Sequence, residues 1–264
     1  MLLAIDAGNT NVVFAVFDGE EKRGHWRIST DGRRTADEYA VWLTALMTMK
    51  GLAPRDIKAA ILSSVVPSQT HTLVRLCEDH FACRPMRVGD PAVKLGIEIR
   101  IDNPREAGAD RLANAVSAVE RYSAPLVVLD IGTGTTFDVV DAEGNFAGGV
   151  IAPGPALSLD ALHRVAAQLP KVDIARPGRV IGKSTVGAMQ SGMFWGYTSM
   201  IEGILRRIRA ELSPSGTPRV TVIGTGGLVR VFAEGTDLVD VIDGDLTLRG
   251  LLLIHQRNQG QKAP

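Results

Sequence analysis

Apolar and polar positions alternate along the start of the chain in a strand–turn–strand rhythm. Residues 2–17, LLAIDAGNTNVVFAVF, are two apolar runs on either side of a short polar stretch, which predicts a strand, a turn and a second strand. Asp18-Gly19 supplies another turn, and HWRIST (25–30) alternates as a third strand. Residues 36–50, ADEYAVWLTALMTMK, set Tyr39, Leu43, Leu46 and Met47 at helical spacing, with acidic residues at the end where a helix favours negative charge. KAAILSSVV (58–66) predicts a buried strand, and SQTHTLVRLCEDHF (68–81) a helix.

The opening pattern recurs. Residues 127–144, VVLDIGTGTTFDVVDAEG, match 3–19, LAIDAGNTNVVFAVFDG, in order: apolar run, Asp, Gly turn with Thr, apolar run, acidic turn. Asp130 stands where Asp6 stood, 124 residues on (130 − 6), and Gly132-Thr133-Gly134-Thr135 replaces Gly8-Asn9-Thr10. One copy alone reads as a hairpin turn, but a repeated unit argues for duplication. The expected organisation is two related α/β halves, 1–120 and 121–264, packed around a shared cleft.

Two facing turns of this kind suit a nucleotide triphosphate. Backbone N–H groups and Thr hydroxyls form an anion-binding concavity, and aspartates at strand ends hold a cation against phosphate oxygens. A third glycine cluster, Gly224-Thr225-Gly226-Gly227-Leu228, follows the apolar RVTVIG (219–224) and predicts strand, turn and helix. It departs from the dinucleotide fingerprint, because Val229 occupies the last glycine position. In NPREAGADRLANAVSAVERY (103–122), Leu112, Val116 and Val119 share a helical face, so a helix begins near Ala109. Asp110 suits a helix start; Arg111 does not, which suggests another task, such as pairing with a carboxylate ligand.

Composition narrows the partners. The 264 residues are 45% hydrophobic and 22% charged, ordinary for a globular chain, and Lys+Arg and Asp+Glu both total 29. That balance points to neither nucleic acid nor a membrane surface. No run is long enough to span a bilayer, Asp6 interrupts any early signal-peptide core, and Cys77 and Cys83 suit a reducing compartment, so the expected location is cytoplasmic. GRVIGKST (178–185) imitates a phosphate loop but has three residues, not four, between Gly178 and Gly182, and no strand before it. His71, Cys77, His80 and Cys83 are too scattered around a helix for zinc.

The ordered set of motifs resembles the type III pantothenate kinase family of the sugar kinase/hsp70/actin superfamily. The resemblance rests on DAGNTN (6–11), RTADEY (34–39), SSVVP (63–67), DNPREAGADR (102–111), DIGTGTTFDVVD (130–141), GKSTVGAMQSGMFWGY (182–197) and GTGGL (224–228). It implies two ribonuclease-H-like (actin-like ATPase) halves of mixed sheet plus helices around a central cleft, and usually a homodimer. It also implies phosphoryl transfer from ATP to the primary hydroxyl of pantothenate, the first step of coenzyme A synthesis. By the same resemblance, Asp6, Ala7, Gly8, Asn9, Thr10, Asn11, Val12 and Val13 contact the ATP phosphates, with Asp6 near Mg2+. Thr133 adds a phosphate contact, Gly226 and Gly227 lie on the adenosine side, and Asp130 helps hold a monovalent cation, K+ or NH4+. Gly108, Ala109, Asp110, Arg111 and Thr185 grip pantothenate, with Asp110 as the base and Arg111 on the substrate carboxylate.

Three positions depart from the family pattern. Ile101 replaces a common pocket-lining tyrosine and loses a hydroxyl; Gly134 stands where alanine is usual, and Ser184 where asparagine is frequent. Two alternatives remain on the same fold: a non-catalytic nucleotide-binding regulatory relative, and a sugar kinase or polyphosphate phosphatase. The intact Asp6, Asp110, Arg111 and Asp130 weigh against the first, and Arg111 against a neutral sugar.

Overall fold

The computed structural model describes residues 1–166 and 169–259, and the chain divides into two compact units. The first comprises Met1–Glu98, Asp102–Ser117 and the segment from Asp245 onward; the second comprises Ile99–Ile101 and Ala118–Gly244. This division is not one cut in the chain, because the last helix belongs with the first unit.

The first unit is built on β1 (Leu2–Ala7), β2 (Asn11–Asp18), β3 (Glu21–Ser29), β4 (Ala59–Ser64) and β5 (Met86–Arg87), in the order β3-β2-β1-β4-β5. The β1–β2 and β2–β3 pairs are antiparallel, while β4 runs parallel to β1 and β5 parallel to β4. β3 begins four residues earlier than its alternation predicts, because backbone pairing of Glu21 and Lys22 with β2 needs no apolar side chain.

Helix α1 (Ala36–Thr48) starts at Thr35, whose hydroxyl accepts from the Glu38 N–H at 3.2 Å while the Glu38 carboxylate accepts from the Thr35 N–H at 2.7 Å. The Thr35 N–H bond, with the Thr35 hydroxyl also donating to the carboxylate, holds the Glu38 carboxyl below the usual range. Tyr39, Leu43 and Met47 pack into the core with Leu3, Ile5 and Phe14, each large apolar side chain contributing about 1.5–3 kcal/mol. The helix expected over 68–81 is α2 (Pro67–Arg75) followed by a wider π turn, Leu76–His80. Cys77 is buried there, which pushes its thiol pKa up, and His80 Nε2 lies 2.9 Å from Asp37 Oδ1.

The second unit repeats the plan. Strands β6 (Leu126–Ile131), β7 (Gly134–Val140), β8 (Phe146–Pro153), β9 (Thr221–Thr225) and β10 (Val241–Ile242) stand in the order β10-β9-β6-β7-β8. Again the first three in sequence pair antiparallel and the last two extend the sheet in parallel. Helices α4 (Pro155–Val165), α5 (Thr185–Leu212) and α6 (Val229–Ala233) complete this unit. Phe194, Ile201, Leu205 and Ile208 recur at helical spacing on α5 and join Val127, Leu129 and Phe137 in one core. Each unit thus carries the mixed five-stranded, ribonuclease-H-like arrangement expected from the resemblance.

Helix α3 (Ala109–Arg121) runs from the first unit into the second, and α7 (Leu246–Arg257) packs on its beginning. A Cβ on Gly250 would overlap Ala113 O, so glycine lets α7 lie directly on the α3 backbone. Thr247 Oγ1 adds a 2.7 Å hydrogen bond to Asn114 Oδ1. These contacts anchor α3 about one turn beyond Asp110.

Candidate active site

Asp6 lies near the end of β1, paired across the sheet with Val13 on one side and Ser63 on the other. Ala7 pairs with Val12, leaving Gly8, Asn9, Thr10 and Asn11 as the connecting turn. The turn is closed by the Gly8 N–H donating to Asn11 O at 3.0 Å and is held from outside by Thr30. The Thr30 hydroxyl donates to Gly8 O at 2.7 Å, and its N–H donates to Thr10 O at 2.9 Å. Asn9 and Thr10 are exposed at the tip, whereas Ala7 and Val12 are buried. Any part the buried pair plays in binding therefore runs through backbone.

Asp130 holds the equivalent position on β6, paired with Thr136 and with Thr225 of β9. Its turn is tighter: Ile131 pairs with Thr135, and Gly132 N–H closes on Gly134 O at 2.9 Å. Thr133 is exposed at the tip, and its carbonyl accepts from Gly154 N–H at 3.1 Å. Gly226, at φ +90°, brings the loop after β9 against this turn. A Cβ there would overlap Asp130 Oδ1 and come within 2.6 Å of Ile131 O. Gly227 has open space around it.

The resemblance-derived acceptor segment splits between the units. Gly108 to Arg111 belong to the first, where Leu112 N–H donates to Gly108 O at 3.0 Å and opens α3. Asp110 Oδ1 accepts from the Arg111 N–H at 2.8 Å and would lie 2.8 Å from any Cβ on Gly108. Glycine thus leaves room for the carboxylate to fold back over it. Ile101 belongs to the second unit, half-buried, with its Cγ2 3.4 Å from where a Cβ on Gly148 would lie. Thr185 is also in the second unit, exposed as the first residue of α5, where Ser184 caps the helix by accepting from Gly187 N–H at 3.1 Å. Thr185 lines a groove of about 800 Å³ with Lys183, Met189 and Gly192.

A cleft of about 480 Å³ in the first unit opens at the carboxyl end of β4, the strand that pairs with β1. Its walls include Ser64 and Val65 at the end of β4, Thr70 on α2, Arg87 on β5, and Gly108 and Ala109. Val65 N–H donates to Ala7 O at 3.1 Å, so one wall is bonded to the residue that leads into the Gly8 turn. Ligands of α/β sheets gather at such carboxyl ends of parallel strands.

Pattern reading overlooked one pair of residues. The strand parallel to each aspartate-bearing strand places a buried hydroxyl residue in register with it: Ser63 beside Asp6 and Thr225 beside Asp130. The signal was present in the matching ends of AILS (60–63) and VIGT (222–225), but it emerges only once both strands are paired.

The donor set matches phosphate and a hard cation. Asp6 and Asp130, threonines and backbone groups at glycine turns supply oxygen ligands and N–H donors. Among the described residues no group of three or more His, Cys, Asp or Glu could hold a metal, so a divalent ion here would take part of its shell from phosphate oxygens and water.

Two ribonuclease-H-like sheets, each with an Asp–Gly/Thr turn at the carboxyl end of its central strand, define the actin-like ATPase fold class. Solved structures share the fold. A Campylobacter jejuni protein described as a Baf family transcriptional activator superposes with TM-score 0.60 at 17% identity, covering 97% of this chain and 98% of its own. The Clostridium difficile activator of 2-hydroxyisocaproyl-CoA dehydratase, solved with bound ADPNP, gives 0.53 at 15% identity, covering 100% and 98%. The chain belongs to the type III pantothenate kinase family, whose model matches residues 2–207. A type III pantothenate kinase of Rhodospirillum centenum is 81% identical over 258 residues, 98% of this chain and 99% of the relative. The chain is accordingly a kinase that phosphorylates pantothenate in coenzyme A biosynthesis.

Proposed function

We propose that the γ-phosphoryl group of ATP passes to the primary hydroxyl of pantothenate beside the first turn, with Asp110 as general base. The observation that supports this reading is the hydrogen bond from Val65, which lines the Gly108–Ala109 cleft, to Ala7, which leads into the Gly8 turn. ATP with Mg2+ supplies the transferable phosphoryl group and neutralises charge on its oxygens. Asp6, together with the backbone of Ala7 to Val13, orients the phosphates and keeps the Mg2+ side anionic; by the family resemblance Thr133, Gly226 and Gly227 are further nucleotide contacts. Asp130 holds the monovalent cation, K+ or NH4+, in a setting whose close approach Gly226 permits. Asp110 accepts the hydroxyl proton, and Arg111 attracts the carboxylate at the other end of pantothenate. Gly108, Ala109, Ile101 and Thr185 complete the acceptor's surroundings.

Asp110→Asn tests the assignment. Turnover should fall about 10²–10⁴-fold, the usual worth of a positioned base, with nucleotide affinity nearly unchanged. Wild-type turnover under chemistry-limited conditions would sink it.

The same reading extends to organisation. We take the duplicated halves as meeting near residue 120 within α3. A homodimer through the second unit is supported by its exposed apolar side chains, among them Leu162, Val165, Val180 and Ile181. Gly192 and Gly196 of α5 also face open space. Sedimentation of Ile181→Asp should show monomer if that face pairs. Among the described residues no helix is long and apolar enough to cross a membrane. Cys77 and Cys83 are free thiols, which fits the reducing, cytoplasmic compartment proposed for the enzyme.

A further inference from the structure

We propose that Arg105 is a specificity residue, supplying a second positive charge that selects an anionic acceptor over a neutral one. The inference rests on the reading that pantothenate enters beside Gly108 and Ala109.

Two arginines line the 480 Å³ cleft, and they differ in what faces them. Arg87 Nη2 is 3.4 Å from Asp90 Oδ2, and Asp90 also accepts the Ala92 N–H at 3.1 Å. That backbone bond, with Arg87 adding to it, holds the Asp90 carboxyl below its usual range, so the acid stays ionised and offsets Arg87. Arg105 lies in the short 3-10 turn Pro104–Glu106, immediately before Gly108. The acid next to it is engaged elsewhere: Asn103 Nδ2 donates to Glu106 Oε1 at 2.9 Å. The Arg105 guanidinium has no hydrogen-bond or ion-pair partner among the described residues.

The remaining wall mixes the apolar Leu62, Val65 and Val88 with the hydroxyl residues Ser64 and Thr70. An acceptor with an apolar body and one carboxylate matches this distribution of surface and charge. Arg111, which does not line the cleft, acts from the helix side, so Arg105 adds to it and does not duplicate it.

The experiment compares pantothenate with its neutral alcohol analogue, pantothenol, as acceptors in steady-state ADP release. With Arg105→Gln, KM for pantothenate should rise about fivefold, as for one partly exposed ion pair, while kcat stays within about twofold. KM for pantothenol should not move. Arg105→Lys should recover most of the loss, because it restores the positive charge. The difference between acceptors should shrink at high salt. Equal changes for both acceptors, or none for either, would overturn the proposal. If the wild-type protein turned over neither acceptor, the functional reading itself would fall, a distinguishable result.

Discussion

The two Asp–Gly/Thr turns share a strand, a register and a pattern of residues, yet they are built differently. Between the last paired residues the first turn has four residues, Gly8 to Asn11, and the second has three, Gly132 to Gly134. The first is open: a Cβ on Gly8 would meet only Asn11 O, at 3.4 Å. The second is roofed by its own chain, because a Cβ on Gly154 would overlap Thr133 O and lie 2.5 Å from Gly132 O, while Gly226 sits on Asp130. One turn is thus open on its glycine side and the other is braced by neighbouring backbone. A glycine in the first keeps space free; a glycine in the second lets backbone fill it.

The largest effect expected from this contrast is on turnover. On the role proposed for it, facing the divalent ion and the transferring phosphoryl group, Asp6→Asn should lower kcat by about 100-fold or more. On the role proposed for it, holding a monovalent cation at a packed turn, Asp130→Asn should cost about tenfold and abolish stimulation by K+. Rates measured for both variants across a potassium titration check this. If both lost the same activity and kept the same potassium response, the division of labour would be wrong.

The paired turns were legible because each joins two short, nearly continuous apolar runs, as buried strands do, and Gly and Thr mark the break. Helix α1 was legible for the same reason at period 3.6, with a Thr35–Glu38 capping box at its start. Other elements left too little trace. Strands β5 and β10 have two residues each, too few to show alternation. Strand β8 contains Gly148 and Gly149, both at positive φ, which read as turn residues. The return of α7 to the first unit depends on Gly250 meeting the Ala113 backbone, a contact between residues 137 positions apart (250 − 113) that no local window contains. Of the site, the aspartates and glycines stood out by pattern, but pantothenate came from family resemblance, since no periodicity names a substrate. The cleft wall at Arg87 needed the fold, because β5 had to be placed beside β4 first.

The next effect separates folding from binding. Gly154→Ala should destabilise the protein by about 1–3 kcal/mol, as overpacking against backbone does, because Thr133 and Gly132 cannot yield like a flexible side chain. Gly8→Ala should cost less than about 1 kcal/mol, since the added methyl meets one carbonyl at ordinary contact distance. The same methyl enters the open side of the turn, so kcat/KM for ATP should fall about tenfold even though the protein stays folded. Urea midpoints and kinetics on both variants would test the pair. A Gly8→Ala protein as unstable as Gly154→Ala would mean that the first turn is packed too.

The smallest effect concerns acid. Burial, with help from Lys22 and Arg27 and against Asp245, depresses the His25 pKa, and burial alone depresses that of His255. Both histidines belong to the first unit. A histidine whose folded pKa lies below its unfolded 6.5 binds fewer protons when native, so the stability it contributes is complete above that value and declines as pH falls through it. The first unit should therefore loosen before the second between about pH 7 and pH 5. His255→Gln should flatten the dependence, and it removes a ring whose Nδ1 is buried without a partner. Hydrogen exchange followed by mass spectrometry resolves the units: earlier acid-induced exchange in β6 and β7 than in β1 and β2 would reverse the assignment.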